Sequence, residues 1–371
     1  MENNKVFVVA ILALTLIAGV FYCSAPARTV RLTVFYPSVG TIKNLQALRE
    51  KGFINIPELE VTGVYHEKEL TDYEAAIKYA KANNLAWMHF HPVSAEISEP
   101  DVFRQNACSS EFVWIINNSD GIIFLGGPDI PPSVFKEETN QLTVIEDPYR
   151  HYFELSAIFH FLGGSQDESF KPLLKANPSM PVLGICLGAQ SLNVGTGGTL
   201  IQDIWSEVYN QNSLEDIIAL GPDCWHNNPY KKLRPDLNLS GYTFHRLNLL
   251  PGEFFIKTLG FSEKDHPRIL SSHHQAIDQL GQGFKAVALS SDGKIIEAIS
   301  HTRYANVLGI QFHPENYRLW DENFEISLVP GDTPDSYWNI LNNNPPSLEF
   351  HRKIWQWFAR AMEKNSRRQA N

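Results

Sequence analysis

The sequence has little basic charge, and this scarcity narrows the range of functions. Lysine and arginine total 31 against 41 acidic residues in 371, so the formal net charge is −10. No basic stripe is available to neutralise phosphates, which argues against a nucleic-acid-binding protein. Internal repeats and low-complexity tracts are also lacking, and the apolar (43%) and charged (19%) fractions are ordinary for a folded protein.

Cysteine is scarce, with four residues in the chain. Without the first segment, Cys108, Cys186 and Cys224 remain, so one thiol stays unpaired unless the molecule dimerises through it. One hypothesis is that Cys108 and Cys224 pair in an oxidising compartment and leave Cys186 free. Two unpaired buried cysteines agree equally well with the sequence.

An apolar run near the N-terminus indicates export. It follows Lys5, extends from Val6 to Tyr22, and is about as long as a short membrane span. Small residues follow at 24–27, and this order is typical of a secretory signal peptide. We therefore expect residues 1–27 to be a signal peptide or, as the serious alternative, an uncleaved membrane anchor.

The location that follows is outside the cytoplasm. The protein is expected to be periplasmic or secreted, or attached to the membrane by residues 6–22. A bacterial lipoprotein with its lipid on Cys23 is the less favoured reading, because Phe21 and Tyr22 are bulky where that processing needs small residues.

Strand and helix patterns alternate over the first half of the chain. The predicted helices cover 42–51 and 71–83. Short β-branched or apolar runs predict strands at 31–36, 59–65, 87–91, 121–125 and 181–185. Such alternation is typical of a mostly parallel sheet with helices on both faces. The sequence therefore predicts an α/β fold, with one domain over residues 28–365.

The second half has a different pattern. Residues 205–270 mix turn-forming residues with aromatics and predict an insertion or a meander of short strands. Residues 331–346 are rich in proline, asparagine and aspartate and predict a loop, and 348–364 predict an amphipathic helix. Further strands are predicted at 284–289, 294–300 and 307–312.

The segment Gly184-Ile185-Cys186-Leu187-Gly188 lies between an apolar strand and a helical stretch. A nucleophile between two glycines at such a junction predicts a nucleophile elbow, in which a sharp turn exposes the side chain. The start of the helix favours a thiolate at Cys186, and the N–H of Leu187 is a candidate oxyanion donor. A structural cysteine beside packing glycines is the alternative.

A histidine and a glutamate two residues apart follow another predicted strand. In an extended chain, His313 and Glu315 point to the same side, so the carboxylate can orient the imidazole toward a thiol. The glycine pair Gly126-Gly127 ends a third strand and leaves backbone N–H groups accessible, so Gly127 is a candidate second oxyanion donor.

Several segments resemble the class I glutamine amidotransferase superfamily, and most closely its γ-glutamyl-γ-aminobutyrate hydrolase-like cysteine peptidases. They lie between about residues 120 and 315 in the family's order: GGPD, GICLGAQ, GGTLIQD, SSHHQAI, SSDGKIIEAI and GIQFHPE. The resemblance implies a flavodoxin-like three-layer sandwich and a catalytic triad. The matching residues are Cys186, His313 and Glu315, with Gly127 and Leu187 as the oxyanion hole.

The resemblance also implies substrate-binding residues. Gly126, Gln190 and His274 fall at positions that line the site in relatives, and Gln190 matches a residue that holds the glutamyl group. His245 matches a strand histidine whose role stays open, and Asp203 is expected to cap the segment after the elbow helix. A polar loop position is the alternative for His274.

Two parts of the chain depart from the resemblance. The N-terminal third, with VFYPSVG, differs from the usual start of the cytosolic hydrolases, and the stretch 316–346 is long. Both are expected to frame the mouth of the pocket, so the amine side of the substrate stays open.

These features together predict a cysteine-dependent hydrolase that cleaves γ-glutamyl amides through a glutamyl thioester. Its expected partner is a small γ-glutamyl substrate. No organic cofactor is expected, and no metal, because no histidine, cysteine and acidic residues have metal-ligand spacing along the chain. A glutaminase subunit that feeds ammonia to a synthetase, and a catalytically silent binding protein of the same fold, are the alternatives. The oligomeric state stays open.

Overall fold

The computed structural model describes residues 29–368. The predicted signal peptide or anchor, residues 1–27, therefore lies outside the described residues, and it stays a prediction. Within the described part of the chain, no helix combines the length and apolar character needed to cross a membrane.

Most strands lie close to their predicted positions. In chain order they are β1 (Val30–Phe35), β2 (Leu59–His66), β3 (Met88–Val93), β4 (Gly121–Phe124), β5 (Val182–Ile185), β6 (Leu200–Ile201), β7 (Thr243–Leu249), β8 (Arg268–Ser271), β9 (Ala276–Ile277), β10 (Phe284–Ser290), β11 (Ile296–His301), β12 (Val307–Ile310), β13 (Glu325–Ile326) and β14 (Asp335–Ser336).

The α-helices vary widely in length, and short 3₁₀ turns separate some of them. They are α1 (Val39–Glu50), α2 (Tyr73–Ala82), α3 (Ser109–Asn117), α4 (Pro148–Leu162), α5 (Leu187–Gly195), α6 (Ile204–Glu207), α7 (Leu214–Leu220), α8 (Pro229–Leu233), α9 (Phe254–Lys257), α10 (Tyr337–Asn342) and α11 (Ser347–Arg368).

One large sheet organises the molecule, with the strand order β3-β2-β1-β4-β5-β12-β11-β10-β7-β8. The strands from β3 to β12 in this order are parallel. The other strands of this order, β11, β10, β7 and β8, extend the sheet in antiparallel fashion, while β13 and β14 form a separate two-stranded sheet. The predicted mostly parallel α/β fold is confirmed.

Helices cover both faces of the sheet, as a parallel sheet requires. Leu32 and Val34 of β1 pack with α1 and α11 in one core cluster. Phe35 of the same strand packs with α3, α4 and α5 in a second cluster. Because neighbouring residues in a strand point to opposite faces, one strand serves both cores. Each fully buried large apolar side chain contributes about 1.5–3 kcal/mol, so the three-layer arrangement follows from the apolar strands.

The pairing of β5 with β12 positions the site. The two strands are parallel and in register, with Gly309 opposite Gly184 and Ile310 opposite Ile185. Parallel neighbours end at the same edge of a sheet, so the residues that follow each strand are close in space. Cys186 follows β5, and the segment with His313 and Glu315 follows β12.

Two sequence predictions are wrong in part. Residues 205–270 contain the short helices α6, α7, α8 and α9 and only two strands, and residues 331–346 contain α10. Four of these helices, α6, α7, α8 and α10, begin at polar capping side chains, each of which accepts a backbone N–H of the first turn; these are Asp203, Ser213, Asn228 and Ser336. The expected capping role of Asp203 is confirmed.

The hypothesis that Cys108 and Cys224 form a disulfide is wrong in this structure, because both are free thiols. Cys108 is fully buried in the second core cluster, and its thiol contacts the carbonyl of Ala95 at 3.3 Å. Burial raises the pKa of the Cys108 thiol to about 11. Cys224 packs against a separate small cluster around Trp205, so the two thiols belong to different parts of the core.

Candidate active site

The turn at Cys186 has the strained geometry of a nucleophile elbow. Its backbone angles are φ 53° and ψ −110°, a conformation that residues other than glycine rarely adopt. It lies between the last residue of β5 and the first of α5, and its N–H donates to the carbonyl of Ile310 at 2.7 Å. Such strain persists only where the surroundings impose it and is concentrated at functional sites.

The two glycines that flank this turn allow the close packing that imposes it. A Cβ on Gly184 would lie 2.5 Å from the carbonyl oxygen of Gly188, and a Cβ on Gly188 would lie 2.2 Å from the carbonyl oxygen of Phe124. Both distances are far below van der Waals contact. The strand–turn–helix junction therefore requires glycine at both positions, because any Cβ would clash with the neighbouring backbone.

His313 and Glu315 form the predicted pair. Nδ1–H of His313 donates to Oε1 of Glu315 at 2.7 Å, and both side chains are buried. The carbonyl of the intervening Pro314 accepts indole N–H bonds from Trp320 at 3.1 Å and Trp355 at 3.0 Å. Two bulky side chains from distant elements thus hold the link between the histidine and the glutamate.

The electrostatics of His313 favour an imidazolium. Burial by itself lowers the pKa of this side chain, but the charges of Glu315 and Cys186 outweigh burial, and the pKa is raised well above 6.5. Tyr242 stands perpendicular to the imidazole, with the ring centroids 5.3 Å apart. A histidine that interacts with both the thiol and a carboxylate can accept and return a proton.

The glycine pair after β4 borders the thiol, as the sequence predicts. A Cβ on Gly126 would lie 3.5 Å from Cβ of Cys186 and 3.2 Å from Cε1 of His313. A Cβ on Gly127 would lie 2.9 Å from the side chain of Leu187. The two predicted oxyanion residues, Gly127 and Leu187, are therefore neighbours beside the thiol.

Sequence reasoning missed Arg150, whose side chain holds the backbone at the glycine pair through hydrogen bonds. Its side chain is fully buried in α4 and donates to the carbonyls of Leu125 at 3.1 Å and Gly126 at 3.0 Å. The guanidinium pairs with Glu154 at 2.8 Å and lies over the ring of Tyr36 at 3.7 Å. An Arg and Glu four residues apart were the available signal, but that spacing is usual on exposed helices.

Gln190 contacts protein backbone close to the thiol. It is 4% exposed, and its Nε2 donates to the carbonyl of Gln275 at 3.1 Å. This bond ties α5 to the segment 272–275, in which the carbonyl of Ser272 lies 3.9 Å from the sulfur of Cys186. The structure thus brings Gln190 to the wall of the site, where its amide is engaged by that wall.

His274 lies between two carboxylates. Its Nε2 is 3.0 Å from both oxygens of Asp129, and its Nδ1 is 3.5 Å from Asp203. Burial opposes protonation, but hydrogen bonds to both carboxylates raise the pKa of His274 to about 9. This side chain borders a pocket of about 270 Å³, whose lining includes Trp205 but not Cys186.

The expectation that no metal-ligand set is present rests on spacing along the chain. The fold brings together four residues that could hold a metal ion. Three histidines and one glutamate that are far apart in the sequence meet in the interior, with their ligand atoms within 4.8 Å of one another. The four residues are His226, His245, His273 and Glu297. Their shared position was not detectable without the tertiary structure.

The parallel sheet, the elbow cysteine and the paired His313 and Glu315 define a class: the class I glutamine amidotransferase-like superfamily. Within it, the chain belongs to the peptidase C26 family, whose model matches residues 61–315, more than half of the chain. Membership indicates a hydrolase or amidotransferase of the cysteine type.

Similar proteins carry names that agree with this class. The glutamine amidotransferase-like protein YvdE of Lactococcus lactis is 32% identical over 196 residues, which are 53% of this chain and 66% of that protein. A protein of Mycobacterium tuberculosis whose name refers to a glutamine amidotransferase is 32% identical, over 54% of this chain and 52% of its own length. A similarly named protein of Schizosaccharomyces pombe is 26% identical, over 63% of this chain and 79% of its own length. The chain thus spans about half to two thirds of the first two relatives.

Proposed function

We propose that this protein hydrolyses γ-glutamyl amide bonds through a glutamyl thioester on Cys186. The observation that supports it best is the arrangement of one strained cysteine and one histidine whose Nδ1 is held by Glu315 at 2.7 Å. The peptidase C26 family adds independent support. A nucleophile, a base and a group that orients the base are the components that acyl transfer needs.

The proposed reaction has two steps. In the first, the thiolate of Cys186 attacks the γ-carbonyl carbon, and the C–N bond breaks when His313 gives its proton to the leaving amine. In the second, His313 takes a proton from water, the hydroxide attacks the thioester, and glutamate leaves as the thiolate re-forms. The N–H groups of Gly127 and Leu187 stabilise the oxyanion in both steps.

The proposed substrate pocket begins at the glycine pair. Gly126 leaves room beside Cys186 and His313 where a side chain would contact both. Gln190 supports the wall of this space through its bond to Gln275. His274 and Asp203 line a separate pocket, and His274 also pairs with Asp129; the zwitterionic end of a glutamyl group would suit these charges if the substrate reaches that pocket.

The names of the relatives support a second candidate, in which glutamine is the substrate and ammonia passes to a partner enzyme. The two functions share the thioester and differ in the leaving amine. Two observations therefore distinguish the two functions: which amides the protein cleaves, and whether an ammonia-consuming enzyme copurifies with it.

The test is glutamate release from glutamine, γ-glutamyl-aminobutyrate and a γ-glutamyl dipeptide. We expect release from at least one amide and a loss of at least about 10³-fold in Cys186→Ala, because the nucleophile is removed. Cys224→Ala is the matched control, since it removes a half-buried thiol away from the elbow, and it should keep full activity.

Equal release by wild type and Cys186→Ala would exclude the proposal. A folded wild-type protein that cleaves none of the amides, and whose Cys186 is not alkylated by iodoacetamide, would favour the silent binding protein. Cleavage of glutamine alone would favour the amidotransferase.

A further inference from the structure

The histidine–glutamate cluster (His226, His245, His273 and Glu297) lies in the interior, where no part of the proposed reaction uses it. Three of its members are fully buried, and His273 is 5% exposed. Each comes from a different part of the fold: the loop before α8, strand β7, the segment after β8 and strand β11. Buried ionisable groups need a partner that offsets the cost of removing them from water.

The four side chains have the separations of a ligand set. Oε1 of Glu297 lies 3.1 Å from Nδ1 of His226 and 3.6 Å from Nε2 of His245, and Oε2 lies 3.6 Å from Nε2 of His273. Four ligands bonded at about 2.0–2.1 Å to a tetrahedral ion lie roughly 3.3–3.4 Å from one another. The three glutamate–histidine distances are close to that value, and all four ligand atoms lie within 4.8 Å of one another, so movement of side chains alone could bring them onto one ion.

The protonation of two histidines directs lone pairs at the glutamate. Nδ1 of His273 lies 2.8 Å from the carbonyl of Gln275, and Nδ1 of His245 lies 3.4 Å from the carbonyl of Arg246. A carbonyl only accepts, so each Nδ1 carries the hydrogen and each Nε2 presents a lone pair. Both Nε2 atoms face Glu297, which also only accepts when ionised.

The result is a set of buried acceptors without donors. Nε2 of His245, Nε2 of His273 and Oε2 of Glu297 have no hydrogen-bond partner among the described residues, and the 3.1 Å contact between Nδ1 of His226 and Oε1 of Glu297 lacks the geometry of a hydrogen bond. Buried polar atoms are almost always paired, so several unpaired acceptors pointing at one another form an arrangement that a cation between them would satisfy. Backbone bonds to the outer nitrogens of ligand histidines are also usual at metal sites.

We propose that the cluster binds one divalent transition-metal ion, of which zinc is the best match, through His226, His245, His273 and Glu297. Imidazole and carboxylate suit zinc, and a set of four protein ligands is the composition of a structural site. Burial of all four ligands leaves no open position for a substrate. The inference does not depend on the proposed hydrolase function.

The site adjoins the catalytic centre and positions one of its walls. His273 follows Ser272, whose carbonyl is next to the sulfur of Cys186, and the N–H of His273 donates to the carbonyl of His226 at 3.0 Å. The carbonyl of Gln275 accepts from both His273 and Gln190. An ion at the cluster therefore holds the segment 272–275 against α5 without touching the reacting atoms.

The test is the metal content of the purified full-length protein, measured by mass spectrometry after growth with zinc. We expect about one divalent ion per chain. A strong chelator should remove the ion and lower the melting temperature of the protein. Added Zn²⁺ should restore both the metal content and the melting temperature. Reloading with Co²⁺ should produce the visible absorption of a tetrahedral nitrogen–oxygen site.

Variants locate the ion. Glu297→Gln keeps the shape but removes the charge, and His245→Gln removes a ligand; each should hold at least tenfold less metal. His351→Gln changes a buried histidine outside the cluster and should retain one ion per chain. A folded wild-type protein that holds no stoichiometric transition metal, even after supplementation, would overturn the proposal. An unchanged metal content in Glu297→Gln would do so as well.

Discussion

At the scale of single residues, the site depends on how His313 is held. Glu315 accepts from Nδ1 of this histidine at 2.7 Å and supports its positive charge, while Tyr242 covers its ring. The carboxylate fixes both the tautomer and the pKa. These two effects can be separated experimentally, because a neutral amide preserves the shape but not the charge.

We expect Glu315→Gln to lower kcat/KM by about 10²- to 10⁴-fold, the range associated with general acid–base catalysis and its orientation. Glu315 raises the pKa of His313 well above its ordinary value, so removal of the charge should lower that pKa. The imidazolium then loses its proton at a lower pH. The alkaline limb of the kcat/KM profile should therefore move to lower pH, which a pH–rate series would measure.

Glu111→Gln is a suitable control, because this half-buried carboxylate also pairs with a histidine, His91, but lies on α3 away from the thiol. Its profile should match the wild type. An unshifted alkaline limb in Glu315→Gln would show that Glu315 does not control the protonation of His313.

At the scale of secondary-structure elements, the elbow is a contact between β5, α5 and β4. Gly188 of α5 lies directly on the carbonyl of Phe124 in β4, and Gly184 lies on the backbone of Gly188. The long segment after the triad also contributes, because Trp320 and Trp355 both bond the carbonyl of Pro314. The stretch 316–346, which departs from the family resemblance, therefore contacts the triad segment through the indole of Trp320.

Gly188→Ala should destabilise the protein because the added Cβ would lie 2.2 Å from the carbonyl oxygen of Phe124. Neither atom belongs to a flexible side chain, so α5 must shift away from β4. We expect a loss of about 1–3 kcal/mol or more in the free energy of unfolding, measured by urea denaturation.

Gly241→Ala is the matched control for this substitution. Its added Cβ would meet nothing within 4 Å, and the residue is exposed. The free energy of unfolding of this variant should stay within about 0.5 kcal/mol of the wild type. Equal stabilities of the two variants would contradict the close-packing account of the elbow.

At the scale of the whole molecule, several histidines are buried in a neutral form. Burial lowers the pKa of His151 to about 3 and the pKa values of His301 and His351 to about 4. His351 shows how the fold fixes the neutral ring: Nδ1–H donates to the carbonyl of Ser347 at 2.8 Å, and Nε2 accepts from the N–H of Leu270 at 3.4 Å.

A lowered histidine pKa makes the folded state sensitive to acid. The unfolded chain binds a proton near pH 6.5 and the folded chain only near pH 4, so stability is lost as the pH falls through this window. His351→Gln should reduce that loss. The drop in unfolding free energy between pH 7 and about pH 5 should be on the order of 1–2 kcal/mol smaller than in the wild type.

Urea unfolding at both pH values measures this difference, and His89→Gln is the control. His89 is exposed on β3, so its removal should leave the acid dependence unchanged. The prediction fails if His351→Gln and the wild type lose the same free energy on acidification, whatever their stability at pH 7.

Much of the fold was predictable because the apolar runs of a parallel sheet are local signals. The strands predicted at 31–36, 59–65 and 181–185 are observed at Val30–Phe35, Leu59–His66 and Val182–Ile185, within one residue of the predicted bounds. The segment before β7 was predicted wrongly, because its short helices depend on single capping residues such as Asp203 and Ser213 and have no long hydrophobic period.

The sequence by itself determined the elbow and the pairing of His313 with Glu315. Each lies within a few consecutive residues, and strand geometry alone directs their side chains. Only the tertiary structure decided that Arg150 supports the glycine pair, that Cys108 and Cys224 stay apart, and that three histidines meet Glu297. Such contacts join residues that are distant along the chain, and their positions follow from how the strands and helices pack rather than from any local pattern.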